Sequence, residues 1–295
     1  MHGSRHAINS WKGRVQISLQ KRTVLITGCS SGIGRALAEE FFRHDFNVYA
    51  TARKTEALAP LDKLGVRTQK LDVTDPKSIE ACIRQIKNEV GLLHILINNA
   101  GYGCMGPLVE MPSTELLQQF ETNVFAPVNI VKEAFPLLRN SGRGIIVNIG
   151  SVSAILSTPF AGAYCASKAA LHALNDAMRV EMAPFNIKVL LVVSGAVKSN
   201  FGSNAASILD RTFKQESVYS SIAGAVRSRA NASQEKPVST EKYARKLVSI
   251  VGKNNPPSLI HLGSGSRKLP FLKRCIPHKL LDAIIAKRFQ LNHSL

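Results

Sequence analysis

Along the chain, short runs rich in apolar and β-branched residues alternate with longer stretches whose apolar positions recur every three or four residues. The short runs fall at 23–27, 47–51, 66–71, 94–98, 144–149, 187–193 and 258–262 and read as strands. Segments 33–44, 55–64, 76–90, 114–139, 162–184 and 239–252 carry helical periodicity. Strands separated by helices assemble from βαβ units, so the pattern predicts an α/β fold: one doubly wound Rossmann-type domain with a seven-stranded parallel sheet. Several strands are apolar almost throughout, as required when helices cover both faces of a sheet. Residues 202–236, rich in Ser, Ala and Asn, interrupt the alternation and read either as a lid over a pocket or as an exposed helical insertion.

Charge changes this picture at the two ends. The chain of 295 residues carries a formal net charge of +18, of which residues 1–22 hold +5 and residues 263–295 hold +6. Basic ends point to an anionic partner, such as a membrane surface or a phosphorylated substrate. No zinc-ligand spacing or RNA-binding aromatic signature accompanies them, so nucleic acid is not expected as a partner, and no metal site is expected. The five scattered cysteines form no CxxC pair and read as free thiols in a reducing, cytoplasmic setting. The N-terminus lacks the apolar stretch of a secretory signal, and no apolar run is long enough for a transmembrane helix.

Chemistry enters at the first strand–helix junction. Thr27-Gly28-Cys29-Ser30-Ser31-Gly32-Ile33-Gly34 follows a strand and opens a helix, the context in which a glycine-rich turn presents helix N–H groups to a pyrophosphate. The second strand ends Ala52-Arg53-Lys54, with no acid before Glu56 to take ribose hydroxyls. Arg53, with Lys54 beside it, suits a 2′-phosphate, so the expected cofactor is NADP(H). Arg35 is a further cation there, read as a solvated helix residue. Later, Ser151 closes the fifth strand, and Tyr164 and Lys168 stand four apart on a helix, where they share a face. A carbonyl that gains a hydride also needs a proton, and a free phenol near pKa 10 is poorly matched to neutral pH; a neighbouring cation corrects this. Ser151 can then stabilise charge on the substrate oxygen.

TGxxxGIG, Asn98-Asn99-Ala100-Gly101, and Ser151 with Tyr164-Cys165-Ala166-Ser167-Lys168 together resemble the short-chain dehydrogenase/reductase family over about residues 22–262. The resemblance implies a catalytic domain at 22–262 that holds both cofactor and substrate, between a basic extension (1–21) and a basic amphipathic tail (263–295). It implies a catalytic tetrad. Tyr164 is the general acid/base, Lys168 lowers its pKa and holds the nicotinamide ribose, Ser151 orients the carbonyl, and Asn123 completes a proton relay. It further implies cofactor contacts from Gly28, Ser30, Ser31, Gly32, Ile33, Gly34, Asp72, Val73, Asn99, Gly101, Val197 and Ser199, with Lys132 a weaker candidate. One departure stands out: where the family has Pro-Gly, this chain has Ser194-Gly195.

The motifs Tyr49-Ala50-Thr51-Ala52-Arg53, Glu181-Met182-Ala183-Pro184-Phe185-Asn186 and Lys242-Tyr243-Ala244-Arg245-Lys246 resemble most the branch containing fungal 1-acyldihydroxyacetone-phosphate reductases and related steroid and retinol dehydrogenases. That branch implies reduction of a hydrophobic carbonyl compound, in lipid or secondary metabolism, at the cytosolic face of the endoplasmic reticulum or lipid droplets. The family's long helices imply a homodimer or homotetramer. The tail is expected to lie on a membrane, to pack on the domain, or both. A non-catalytic NADP-binding interaction module is the alternative from another class.

Overall fold

The computed structural model describes residues 21–292, so the N-terminal extension, apart from its last residue, lies outside the described residues. Seven strands, β1 (Thr23–Ile26), β2 (Asn47–Ala52), β3 (Arg67–Lys70), β4 (Ile95–Asn98), β5 (Gly144–Ser151), β6 (Ile187–Ser194) and β7 (Leu259–Leu262), form one sheet in the order β3-β2-β1-β4-β5-β6-β7. Every pairing is parallel, and the longest runs from Gly144↔Ile187 to Ser151↔Ser194. The strand order reverses between β1 and β4, the point at which a doubly wound sheet opens a crevice beyond its carboxyl ends.

Helices α1 (Gly32–Arg43), α2 (Ala59–Asp62), α3 (Pro76–Val90), α4 (Ser113–Phe120), α5 (Ala126–Asn140), α6 (Gly162–Glu181), α7 (Phe201–Thr212), α8 (Ala223–Asn231) and α9 (Thr240–Val251) connect or follow the strands. Two apolar layers sandwich the sheet. One joins Val24, Ile26, Val48, Val147 and Val192 to Leu37 and Phe41 of α1 and Leu247 of α9. The other joins Leu25, Leu96, Ile146 and Val189 to Ile83 of α3 and Ile130 and Val131 of α5. Alternate strand residues therefore face opposite layers, which is why these strands read as unbroken apolar runs.

The helix expected at 114–139 is two helices separated by a wider π-type turn, Glu121–Phe125. Pro127 accounts for the break: it has no N–H to offer the carbonyl of Asn123, its partner in a regular α-helix. Residues 55–64 form a single tight turn, Thr55–Leu58, followed by the short α2. The 202–236 segment is a helical insertion, with Ala205, Leu209 and Val226 buried between α7 and α8.

The tail forms α10 (Lys268–Cys275) and α11 (His278–Arg288). Leu281 and Phe289 are buried against the domain, and Phe289 meets Phe160 edge-on at 6.1 Å between ring centroids. Phe271, Leu280 and Ile284 stay exposed. Among the described residues, no helix is long and apolar enough to cross a membrane.

Candidate active site

The glycine-rich turn forms because its backbone adopts shapes that side chains forbid. Gly28 has φ +74°, and a Cβ there would stand 2.9 Å from the Cα of Ala100. A Cβ on Gly34 would stand 2.2 Å from the carbonyl oxygen of Gly28, so the first turn of α1 sits directly on the loop. Ser31 precedes α1 without capping it through its side chain, and no acid occupies the first turn. The N–H groups and positive dipole end of α1 are therefore left to face the crevice, a ready phosphate site.

Thr27 and Asn99 bind this turn to β4. Thr27 Oγ1 accepts from the backbone N–H of Asn99 and of Ala100, each at 3.0 Å. Asn99 Nδ2 donates to the carbonyls of Thr27 (2.8 Å) and Gly28 (3.1 Å). Beside it, Asn98, Asn148 and Asn175 form a buried amide chain with links of 2.8 and 3.0 Å. This chain ties β4 to β5 and α6 beneath the site.

At the end of β2, Ala52 and the exposed Arg53 line the crevice. Lys54 is exposed and does not line it. Arg35, expected to be solvated, instead folds back: one Nη donates to the carbonyls of Ser30 (2.6 Å) and Ala57 (3.0 Å). Its guanidinium bridges the glycine-rich turn and the loop after β2. Asp72 holds its loop by accepting from the N–H and hydroxyl of Thr74. With Val73 it lines the same crevice. The residues present therefore fit a dinucleotide bearing a 2′-phosphate: an open helix terminus, no acid at the β2 end, and Arg53 on the crevice wall. Lys132 does not join them. It is exposed on α5, whose Val131 and Ala134 face the sheet.

Ser151, Tyr164 and Lys168 line the crevice from β5 and α6, and all three are buried. The Lys168 ammonium donates to the carbonyl of Ile149 at 2.8 Å. Burial lowers its pKa to about 8. Burial raises that of the Tyr164 phenol, against which the Ser151 hydroxyl and the Arg229 guanidinium act in the opposite direction. Asn123 sits in the π-type turn, bonded to the backbone of Tyr102 through both amide atoms and to the Ser167 hydroxyl at 3.1 Å. A Cβ on Gly101 would meet Asn123 Oδ1 at 3.0 Å and Lys168 Nζ at 3.6 Å, so these three residues converge.

The lost proline at 194 has a structural replacement. The Ser194 hydroxyl lies 2.6 Å from that of Tyr243 on α9, both buried. The backbone beyond it is stitched by N–H bonds from Gly195 to Leu262, Ala196 to Ser264 and Lys198 to Val238. Val197 and Ser199 are thereby held on the crevice wall.

The crevice continues past Tyr164 into a cavity of about 1080 Å³ in all. Its outer wall is apolar and comes from the tail, through Leu269, Leu272, Ile276, Leu281, Ile285 and Phe289. Sequence reasoning missed three side chains here. His172, one turn beyond Lys168, accepts the Ser151 backbone N–H at 3.2 Å. Arg229 of α8 and Thr158, bonded at 2.6 Å, line the cavity near Tyr164. Only the position of His172 on the Lys168 face of its helix could have drawn attention to it.

Residues 22–208 match the family model described as short chain dehydrogenase. The chain is similar to a short-chain dehydrogenase of Penicillium ochrochloron, at 45% identity over 61% of this chain and 68% of the relative. It is also similar to the NADPH-dependent 1-acyldihydroxyacetone phosphate reductase of Saccharomyces cerevisiae, at 30% identity over 93% of each. Among solved structures, a short-chain dehydrogenase from Streptomyces avermitilis is similar at 30% identity and a TM-score of 0.75, covering 92% of this chain and 96% of that one.

Proposed function

The chain belongs to the short-chain dehydrogenase/reductase family, and on that premise we propose that it reduces a ketone to an alcohol, or runs the reverse, on a bulky lipid-like or polyketide- or terpenoid-like substrate. It is an oxidoreductase, and its cofactor is NADP(H). The observation that carries the reading is that buried Tyr164, Ser151 and Lys168 share one cavity with an apolar outer wall.

NADP(H), when bound, supplies or accepts the hydride. The α1 terminus and the turn from Gly28 to Gly34 would hold its phosphates, Arg53 its 2′-phosphate, with Arg35 bracing the loop through the Ser30 and Ala57 carbonyls, and Val197 and Ser199 its nicotinamide end. Ser151 orients the ketone oxygen and stabilises charge that grows on it. Tyr164 gives that oxygen its proton in reduction and takes it back in oxidation. Lys168, cationic below about pH 8, favours the phenolate left on Tyr164. Asn123 holds the loop at Tyr102 against α6, beside the Lys168 ammonium that would carry the proton relay onward.

A narrower reading, a 1-acyldihydroxyacetone-phosphate reductase, is supported by the similarity to the yeast enzyme over most of both chains. The exposed Phe271, Leu280 and Ile284, with Lys273, Lys279 and Lys287 among them, support contact of the cavity mouth with an anionic membrane. NADPH oxidation by purified protein, with acyl-dihydroxyacetone phosphate beside steroid, retinoid and polyketide-type ketones, tests the reading. Turnover abolished by Tyr164→Phe supports it, and no ketone-dependent oxidation with any of them contradicts it.

A further inference from the structure

Arg229 is, with Lys168 of the catalytic group, one of two buried cations lining the crevice among the described residues. It is 9% exposed, sits on α8, and lies among Ala225, Val226 and Ala230 in the apolar cluster that also contains Phe160 and Tyr164. Burying a guanidinium in such surroundings is unfavourable unless an anion compensates it. Among the described residues no carboxylate does so. Arg229 Nε donates to the neutral Thr158 hydroxyl at 2.6 Å, and the guanidinium also bonds the Cys165 thiol; neither partner is a carboxylate.

Of the other cations of the crevice, Lys168 is bonded to the Ile149 carbonyl and Arg211, on α7, is exposed to solvent. Arg288, at the mouth, is paired with Glu235 at 2.9 Å. Arg53 lies at the end of β2, on the cofactor side, and Asp72 is bonded within its own loop. Arg229 thus remains a buried, permanently charged fork on the substrate side, lining the cavity with Tyr164.

We propose that Arg229, with Thr158, forms an anion subsite that binds an acidic group of the substrate, a phosphate monoester or a carboxylate, a few bonds from the carbonyl that Tyr164 protonates. The short separation follows because Arg229 and Tyr164 line the same cavity, and the α8 residues that flank Arg229 pack in one apolar cluster with Tyr164. The guanidinium fork matches two anionic oxygens at once. A distal acid at the far end of an acyl chain would have to leave through the apolar mouth and could not reach it. The subsite rests on the ketone-reductase reading and narrows its substrate class.

The test compares matched pairs on the protein bearing NADPH. One pair is a 1-acyldihydroxyacetone phosphate and its unphosphorylated counterpart; the other is a long-chain 3-oxo acid and its methyl ester. Affinity is read from the fluorescence of bound NADPH, and kcat/KM from NADPH oxidation. The wild type should prefer the anionic member of at least one pair by about 30-fold or more, as loss of one partner of a buried charge pair implies. The preferred pair distinguishes phosphate from carboxylate. Arg229→Gln should bring that ratio close to one, and Arg229→Lys should keep part of it.

If Arg229 served only to tune Tyr164, both members of a pair would fall together and the ratio would not move. A wild-type ratio at or below one in both pairs, or a ratio unchanged in Arg229→Gln, overturns the subsite. Should Arg229→Gln fail to bind NADPH, the wild-type ratio in affinity decides by itself. Neutral ketones reduced as well as anionic ones, with loss on Tyr164→Phe, would defeat the subsite and leave the reductase standing. Tight binding of the anionic member with no NADPH oxidation would do the reverse.

Discussion

The backbone N–H of Ser151 donates to Nε2 of His172 at 3.2 Å, so the residue that would orient the substrate is held from below by the helix that carries Tyr164 and Lys168. The packing leaves no slack: a Cβ on the neighbouring Gly150 would stand 2.3 Å from the same nitrogen. His172→Ala leaves a buried N–H without its acceptor, a loss of about 1–3 kcal/mol. We expect kcat to fall about tenfold with NADPH affinity unchanged, since the effect is one of positioning. His172→Gln, which restores an acceptor, should recover much of it. Steady-state kinetics with cofactor titration checks this.

The same bond requires a neutral imidazole, and burial with the nearby Lys168 lowers the His172 pKa from 6.5 to about 4. Between those values the unfolded chain binds a proton that the folded one refuses. Stability is therefore fully present above about pH 6.5, declines as the pH falls towards 4, and levels off below. The loss from this group is on the order of 3 kcal/mol. Denaturant unfolding at a series of pH values should show it, and His172→Gln should lack that part of the slope.

Ser194 and Tyr243 form a buried hydroxyl pair where the family has proline, and each satisfies the other. Ser194→Ala or Tyr243→Phe alone should cost about 1–3 kcal/mol by leaving one buried hydroxyl unpaired. The double variant should cost less than the sum of the two. Urea unfolding of the four-member cycle measures the coupling.

How much of this was legible in the sequence depends on how local each relation is. Tyr164 and Lys168 are four residues apart on one helix, and the turn from Gly28 to Gly34 is one strand–helix junction, so spacing and residue type suffice to find them. The break before α5 is hidden because apolar periodicity runs straight through Glu121–Phe125; only Pro127 marks it. Ser194 with Tyr243 and Arg229 with Thr158 join residues 49 and 71 positions apart, brought together by the packing of α9 and α8 rather than by any local pattern. Lys132 and Arg35 are both helical cations that looked alike in one dimension. The orientation of each helix sends Lys132 to solvent and turns Arg35 back onto two carbonyls.

Arg53, on the crevice wall at the end of β2, carries the preference for the phosphorylated dinucleotide. Arg53→Ala should raise KM for NADPH about 10- to 100-fold, the range of a lost charge-assisted contact, and leave KM for NADH little changed. Equal effects on both cofactors would remove the argument for a 2′-phosphate contact.

The central claim is that Tyr164 donates the proton in a ketone reduction that consumes NADPH. Tyr164→Phe keeps the ring and removes only the hydroxyl, so NADPH should still bind with near wild-type affinity. The measurement is the kcat of this variant beside wild type, with whichever ketone the wild type turns over fastest. A fall of about 100- to 10,000-fold is the predicted result, and a variant that retains most of its turnover would contradict the account.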